Sequence, residues 1–246
     1  MLAKRPENPL LEIELSVISR ARTVWRRWRR PLHEMVGSDR WSYLALNELD
    51  RKLQKYLDFD GGFFIEAGGN DGLSQSNSYW FERFRGWRGI LVEAVPDQAR
   101  LCRKNRPRAD VVNAALVADD GTKSVRIKAA RLMAFIPGAR SPAEEEIHLR
   151  NAMEVQQLIE VPEIDVPATT LSAILEARGN PKVDFFSLDV EGYEIPVLQG
   201  MDADRHRPRL ILVETRDLDG VLQALKGSYR PIDQLSHHDH LLKAED

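Results

Sequence analysis

The sequence predicts an α/β protein: an open, mostly parallel, seven-stranded sheet with helices between its strands and an antiparallel hairpin at the C-terminal end. Three observations carry this. From about residue 62 onward, short β-rich runs alternate with segments of helical period, the pattern of βαβ units. The runs are almost continuously apolar, as strands buried on both faces are. The first of them, Phe63-Phe64-Ile65-Glu66-Ala67, runs straight into a glycine-rich turn, Gly68-Gly69-Asn70-Asp71-Gly72. At 246 residues, 43% hydrophobic and 30% charged, the chain is long enough for one such domain, over residues 38–246, and an appendage over residues 1–37.

The appendage comes first. Pro6 and Pro9 precede an apolar-periodic run from Leu10 to Ile18, and then Arg20, Arg22, Arg26, Arg27, Arg29 and Arg30 cluster around Trp25 and Trp28. Such a basic helical segment reads as a docking or oligomer-forming helix with a solvated arginine face. It also reads as a surface helix making peripheral contact with anionic lipid or a polyanionic partner.

In the main domain, Leu44, Leu46, Leu49, Leu53, Tyr56 and Leu57 recur at helical spacing, so a helix is expected over 41–57, stopping at Asp60-Gly61-Gly62. A strand over 62–67 and a helix over 74–84 follow. The next unit is a strand over 89–93 with a helix over 96–105, opened by Pro96, whose missing N–H costs nothing in the first turn. A third strand is expected over 110–116, and an extra one over 123–128 after the Asp119-Asp120-Gly121 turn. Residues 131–163 then interrupt the alternation with a helical stretch near 144–159. An insertion at this point is a candidate substrate lid. The alternation resumes with a helix over 170–177, closed by Gly179-Asn180-Pro181, and a strand over 183–188. Then come a helix over 194–199, a strand over 210–213, a helix over 218–226, and short strands over 229–233 and 240–243.

Bulk properties narrow the function. A formal net charge of -3 supplies no global basic field, so long nucleic acid is not an expected partner. The single cysteine, Cys102, has no partner within the chain for a disulfide, which suits a reducing compartment. No run approaches the roughly 18 apolar residues of a membrane span, and no secretory signal opens the sequence. Cytoplasmic residence is the expectation.

The glycine turn points to a nucleotide-like ligand, because glycines let the backbone come close and the following helix offers free N–H groups. Counting from Gly68, a dinucleotide fingerprint would need glycine where Asn70 and Leu73 stand, and no lysine followed by serine or threonine makes a phosphate loop. Glu66 at the strand end would repel a pyrophosphate, whereas the ammonium and sulfonium of S-adenosyl-L-methionine favour a carboxylate nearby. Glu93 ends the second strand about twenty residues further on, where an acid can accept ribose hydroxyls; NAD enzymes share that device. Asn113 is placed for an adenine edge or for a turn closed on its own backbone. At Ser187-Leu188-Asp189-Val190-Glu191-Gly192 another apolar strand ends in acids at the same sheet edge, which points to ligands rather than folding.

Taken in order, Ile65-Glu66-Ala67-Gly68-Gly69-Asn70-Asp71-Gly72, Val92-Glu93-Ala94, Asn113-Ala114-Ala115-Leu116, Ala168-Thr169-Thr170-Leu171 and Leu188-Asp189-Val190-Glu191-Gly192-Tyr193-Glu194 resemble the FkbM-type methyltransferases, over roughly residues 48–243. Glu66 stands where the family more often has aspartate, and Gly69 where it more often has alanine. The resemblance implies a Rossmann-like class I methyltransferase fold, S-adenosyl-L-methionine as donor, and O-methylation of a small-molecule or saccharide hydroxyl, on a sugar, glycan precursor or natural product. The expected cofactor-binding set is Glu66, Gly68, Asn70, Gly72, Gln75, Ser76, Glu93, Ala94, Asn113, Ala114 and Asp189. The expected catalytic set is Asp189, Glu191 and Glu214. Asp189 serves as the base or holds the methionine ammonium; Glu191 and Glu214 meet acceptor hydroxyls, or Glu214 is the base. His237, His238 and His240 raise a metal reading, but no metal site is expected. An inactive methyltransferase-like binding module and an RNA methyltransferase using the basic arm are the competing functions.

Overall fold

The structure is a computed structural model, and it describes residues 29–245. The apolar and basic run expected to be helical from Leu10 through Trp28 lies outside the described residues. The chain divides between Tyr43 and Leu44 into two compact units. In the first, residues 29–35 are helical, and Ser42 Oγ donates to Glu34 Oε1 at 2.7 Å.

The second unit is built on β1 (Phe63–Ala67), β2 (Arg88–Val92), β3 (Asp110–Val112), β7 (Phe185–Leu188), β8 (Leu210–Glu214), β9 (Tyr229–Gln234) and β10 (Asp239–Ala244). These form one seven-stranded sheet in the order β3-β2-β1-β7-β8-β10-β9. The five from β3 to β8 are parallel, and the β9–β10 hairpin adds antiparallel on β8. The expected sheet is therefore present, and the order reverses between β1 and β7, where an open α/β sheet leaves a crevice at its carboxyl edge.

The helices are α1 (Leu49–Leu53), α2 (Tyr79–Phe84), α3 (Pro96–Asn105), α4 (Pro142–Gln156), α5 (Leu171–Glu176), α6 (Glu194–Gln199) and α7 (Leu218–Ala224). One face of the sheet, with Ile65, Ile90, Phe186, Ile211 and Leu242, packs on Leu171, Leu175, Val197 and Val221 of α5, α6 and α7. On the other, Phe64 leans over Gly89, where a Cβ would stand 2.6 Å from its ring, and Phe81 and Trp87 stack at 5.2 Å. Successive residues thus bury opposite faces, which is why these strands read as unbroken apolar runs.

Four elements differ from expectation. The helix over 41–57 is reduced to a 3-10 turn, Leu46–Glu48, and the short α1, with Asn47 and Glu48 at positive φ. The Asp50 carboxylate explains this: it accepts from the backbone N–H of Leu44 and Ala45 at 2.7 and 3.1 Å and holds them outside any helix. Similarly α2 starts at Tyr79 rather than Ser74, because Glu66 claims residues 76–78. The third strand stops at Val112; Ala115–Leu116 is a separate strand, β4, in a second sheet of order β4-β6-β5 with β5 (Ser124–Lys128) and β6 (Glu163–Thr169). Sequence reading assigned no strand to β6, whose exposed and buried residues alternate around Pro167.

Candidate active site

The carboxyl ends of β1, β2 and β7 meet at the glycine turn. Gly68 has φ +86°, and a Cβ there would lie 2.0 Å from the Asp189 carbonyl oxygen, so β1 and β7 close together only because this residue has no side chain. Gly68 and Gly69 both donate to the Val92 carbonyl at 3.0 Å, tying the turn to β2.

Glu66 is buried, and its own chain surrounds it. Oε1 accepts the Asn77 N–H at 2.9 Å; Oε2 accepts the hydroxyls of Ser76, at 2.9 Å, and Ser78. Arg106, 1% exposed, lies behind these hydroxyls, donating to Ser76 Oγ at 3.1 Å, Ser78 Oγ at 3.0 Å, the Gly72 carbonyl at 3.0 Å and Glu82 at 2.9 Å. A Cβ on Gly72 would meet Arg106 Cγ at 2.8 Å. Glu66, Ser76 and Gly72 therefore shape the loop from 70 to 78, and Arg106 is its buried anchor. A single basic residue ahead of Pro107 left no mark in the sequence pattern.

Beside that loop opens a cleft with an empty volume of about 910 Å³. Of the expected cofactor set, Glu66, Gly68, Asn70, Gln75, Glu93, Ala94, Ala114 and Asp189 line it. Gly72, Ser76 and Asn113 are not on its wall. Asn113 donates both amide hydrogens inward, to the carbonyls of Glu93 at 2.8 Å and Ala94 at 2.9 Å, and so fixes the β2 end from behind.

Two features of the cleft escaped sequence reading. Asn77 lines it, with Nδ2 on Ser187 Oγ at 2.9 Å; its Oδ1, like that of Asn70, is buried with no hydrogen-bond partner. Ile127 of β5 and Leu132, Phe135 and Ile136 of the insertion supply an apolar wall. Glu93 accepts the N–H of Asn70 and of Val95, each at 2.7 Å, and burial pushes its carboxyl up to about 7.

A second cleft, about 1470 Å³, opens beyond the ends of β7 and β8 and shares Asp189 and Glu191 with the first. Burial, then the charges of Glu214, Glu191 and Glu194, hold the Asp189 carboxyl well above the ordinary 3.8. Glu191, at φ 56°, has its carboxyl raised to about 7 by burial, against the pull of Arg140, whose Nη2 donates to it at 3.1 Å. Glu194 turns back to accept the N–H of Val190 and Gly192 at 3.1 and 2.9 Å, bracing the turn that carries Glu191. The three expected catalytic residues thus stand together on this second wall. His238 also lines it, and its ring stacks on His237 at 4.4 Å; among the described residues no group of three or more His, Cys, Asp or Glu is arranged to hold a metal ion.

The FkbM methyltransferase domain matches residues 66–243, from Glu66 in β1 to Lys243 in β10. The chain belongs to the FkbM methyltransferase family. Both clefts of this FkbM-family methyltransferase lie within the matched span. Its chain is also similar to a TehB-like SAM-dependent methyltransferase from Corynebacterium glutamicum, at 11% identity and a TM-score of 0.41, covering 92% of this chain and 96% of that one. A second similar structure is the Burkholderia thailandensis 1,6-didemethyltoxoflavin-N1-methyltransferase with bound 1,6-didemethyltoxoflavin and S-adenosylhomocysteine: 13% identity, TM-score 0.39, covering 100% and 94%. A third is the precorrin-6y C5,15-methyltransferase of Geobacter metallireducens, at 13% identity and TM-score 0.41, covering 81% and 88%. No curated protein sequence matches the chain. Among the described residues, no helix is long and apolar enough to cross a membrane.

Proposed function

We propose that this FkbM-family enzyme transfers a methyl group from S-adenosyl-L-methionine to a hydroxyl of a small, sugar-like acceptor. The observation that carries the reading is the junction of two clefts at Asp189 and Glu191, with buried, partnerless acceptor atoms on one side and paired carboxyls on the other.

The donor cleft suits this cofactor by its chemistry. Asn70 Oδ1 and Asn77 Oδ1 are acceptors awaiting N–H groups, and a methionine ammonium supplies them. Glu93 keeps a lone pair on each oxygen for ribose hydroxyls while its backbone bonds hold it still. Ile127, Leu132 and Phe135 offer an apolar slot for a planar base. When bound, the cofactor supplies an electrophilic methyl on a sulfonium.

The protein's own work is then alignment, exclusion of water and removal of one proton. Burial and the charges of Glu214 and Glu191 raise the proton affinity of Asp189, which suits it to take the acceptor's hydroxyl proton as the methyl transfers. Asp189 faces both clefts and is the base; Glu214 sets its proton affinity. Arg140 and Glu191 border the acceptor.

Turnover and donor affinity measured separately in Asp189→Asn test this. Loss of turnover by about 10²-fold or more at saturating donor, with S-adenosylhomocysteine affinity changed by less than tenfold, is expected of a general base. Full turnover at saturating donor overturns the role.

A further inference from the structure

We propose that the acceptor carries an oxyanion, a phosphate or carboxylate, and that Arg216 and Arg140 bind it in the second cleft. This rests on the methyl-transfer reading above and extends it to the class of acceptor.

Four acids of that cleft are already committed. Asp217 Oδ1 accepts the Gly220 N–H at 2.9 Å and caps α7; Glu144 closes a capping box with Ser141 at the start of α4. Glu194 holds two backbone N–H groups, and Glu191 faces Arg140.

The cations keep donors to spare. Arg216 lines the cleft, is exposed, and has no hydrogen bond or ion pair among the described residues. Arg140 gives Nη2 to Glu191, but its Nη1 is buried with no partner. A Cβ on Gly192 would lie 2.9 Å from Arg140 Nε, so this glycine lets the guanidinium lie against the Glu191 turn. Both arginines line this one cleft, and both charges act on His148 and on Glu144. His148, its Nε2 3.0 Å from the Met133 carbonyl, has its pKa held below the ordinary value by burial.

Two guanidinium groups with donors to spare match the planar, bidentate geometry of an oxyanion. A neutral polyol can accept from Arg140 Nη1 as well, but it forgoes the charge-assisted, bidentate bonds that an oxyanion makes to guanidinium groups. The cleft is bipolar: a hydroxyl is drawn to the Asp189–Glu214 pair and an anion to the arginines.

Binding to the full chain tests this without knowledge of the acceptor. The protein is first saturated with S-adenosylhomocysteine, then titrated by calorimetry at fixed ionic strength with inorganic pyrophosphate, malonate and glucose. Saturable binding of pyrophosphate or malonate but not glucose is expected, and whichever binds more tightly tells a phosphate-bearing acceptor from a carboxylate-bearing one. Arg216→Ala should raise that Kd at least tenfold and Arg216→Lys less, with S-adenosylhomocysteine affinity unchanged. Arg126→Ala, on an exposed arginine of β5 paired with Asp165, should leave Kd as it was. Binding of neither anion, equal binding of glucose, an unaffected Arg216→Ala, or equal weakening by Arg126→Ala each overturns the anion site alone. No binding of S-adenosylhomocysteine removes the methyl-transfer reading, and this inference with it.

Discussion

The backbone of Gly68 passes so near the Asp189 carbonyl that a Cβ would stand 2.0 Å from its oxygen. The ends of β1 and β7 are thereby locked edge to edge, and Asp189 is delivered to the mouth of the donor cleft. Gly68→Ala combines this overlap with a left-handed φ of +86°. A loss of about 3 kcal/mol or more is expected, read by chemical denaturation, with S-adenosylhomocysteine binding weakened in whatever protein folds.

Glu66 bears on donor binding through the loop it organises. Glu66→Gln replaces an acceptor of three hydrogen bonds by a group that presents its own N–H to one of the donors, a cost of about 2 kcal/mol. Arg106→Met removes the cation behind it and leaves Glu82 unpaired and buried, at about 3–5 kcal/mol. Because both act on Ser76 and Ser78, the double variant should fall short of the sum, as urea unfolding of all four proteins would reveal.

Donor affinity should depend on pH near neutrality. The Glu93 carboxyl, raised from 4.5 to about 7, is half protonated there, while a ligand offering hydroxyl donors favours the ionised form. Binding then expels a proton, so affinity rises with pH through 7, by up to about tenfold per unit below that value, and levels off above it. Calorimetry in buffers of different ionisation enthalpy should register the released proton, and Glu93→Gln should abolish the dependence. In the ligand-free protein the sign is opposite: the folded state holds the extra proton, so this group's contribution to stability declines as pH climbs from 4.5 to 7.

Asn77→Ala should weaken S-adenosylhomocysteine about tenfold or more, since it removes an acceptor that a charged ammonium would use and frees Ser187. Equilibrium dialysis is sufficient to measure it.

The sheet was legible in the sequence because burial on both faces writes short apolar, aromatic-rich runs bounded by turn residues, as in Phe63–Ala67 and Phe185–Leu188. Elements governed by a single side chain were not. Asp50 unwinds residues ahead of α1, and Glu66 does the same ahead of α2, although the local spacing in both places is helical. The three-stranded sheet stayed hidden because β4 is two residues long and β6 contains a proline. At the site, the acids at strand ends were readable from position alone. Asn77, Arg106 and Arg140 were not, since each gains its meaning from a partner far away in the chain.

The place of β10 has a consequence for biosynthesis. This strand is made after β9 yet lies between β8 and β9, pairing with both. Until residues 239–244 leave the ribosome, β8 presents a bare ladder and β9 has nowhere to dock. Completion of the sheet therefore waits on the last of its strands to be made, and a pause in translation before β10 emerges would prolong exposure of the strand that carries Glu214.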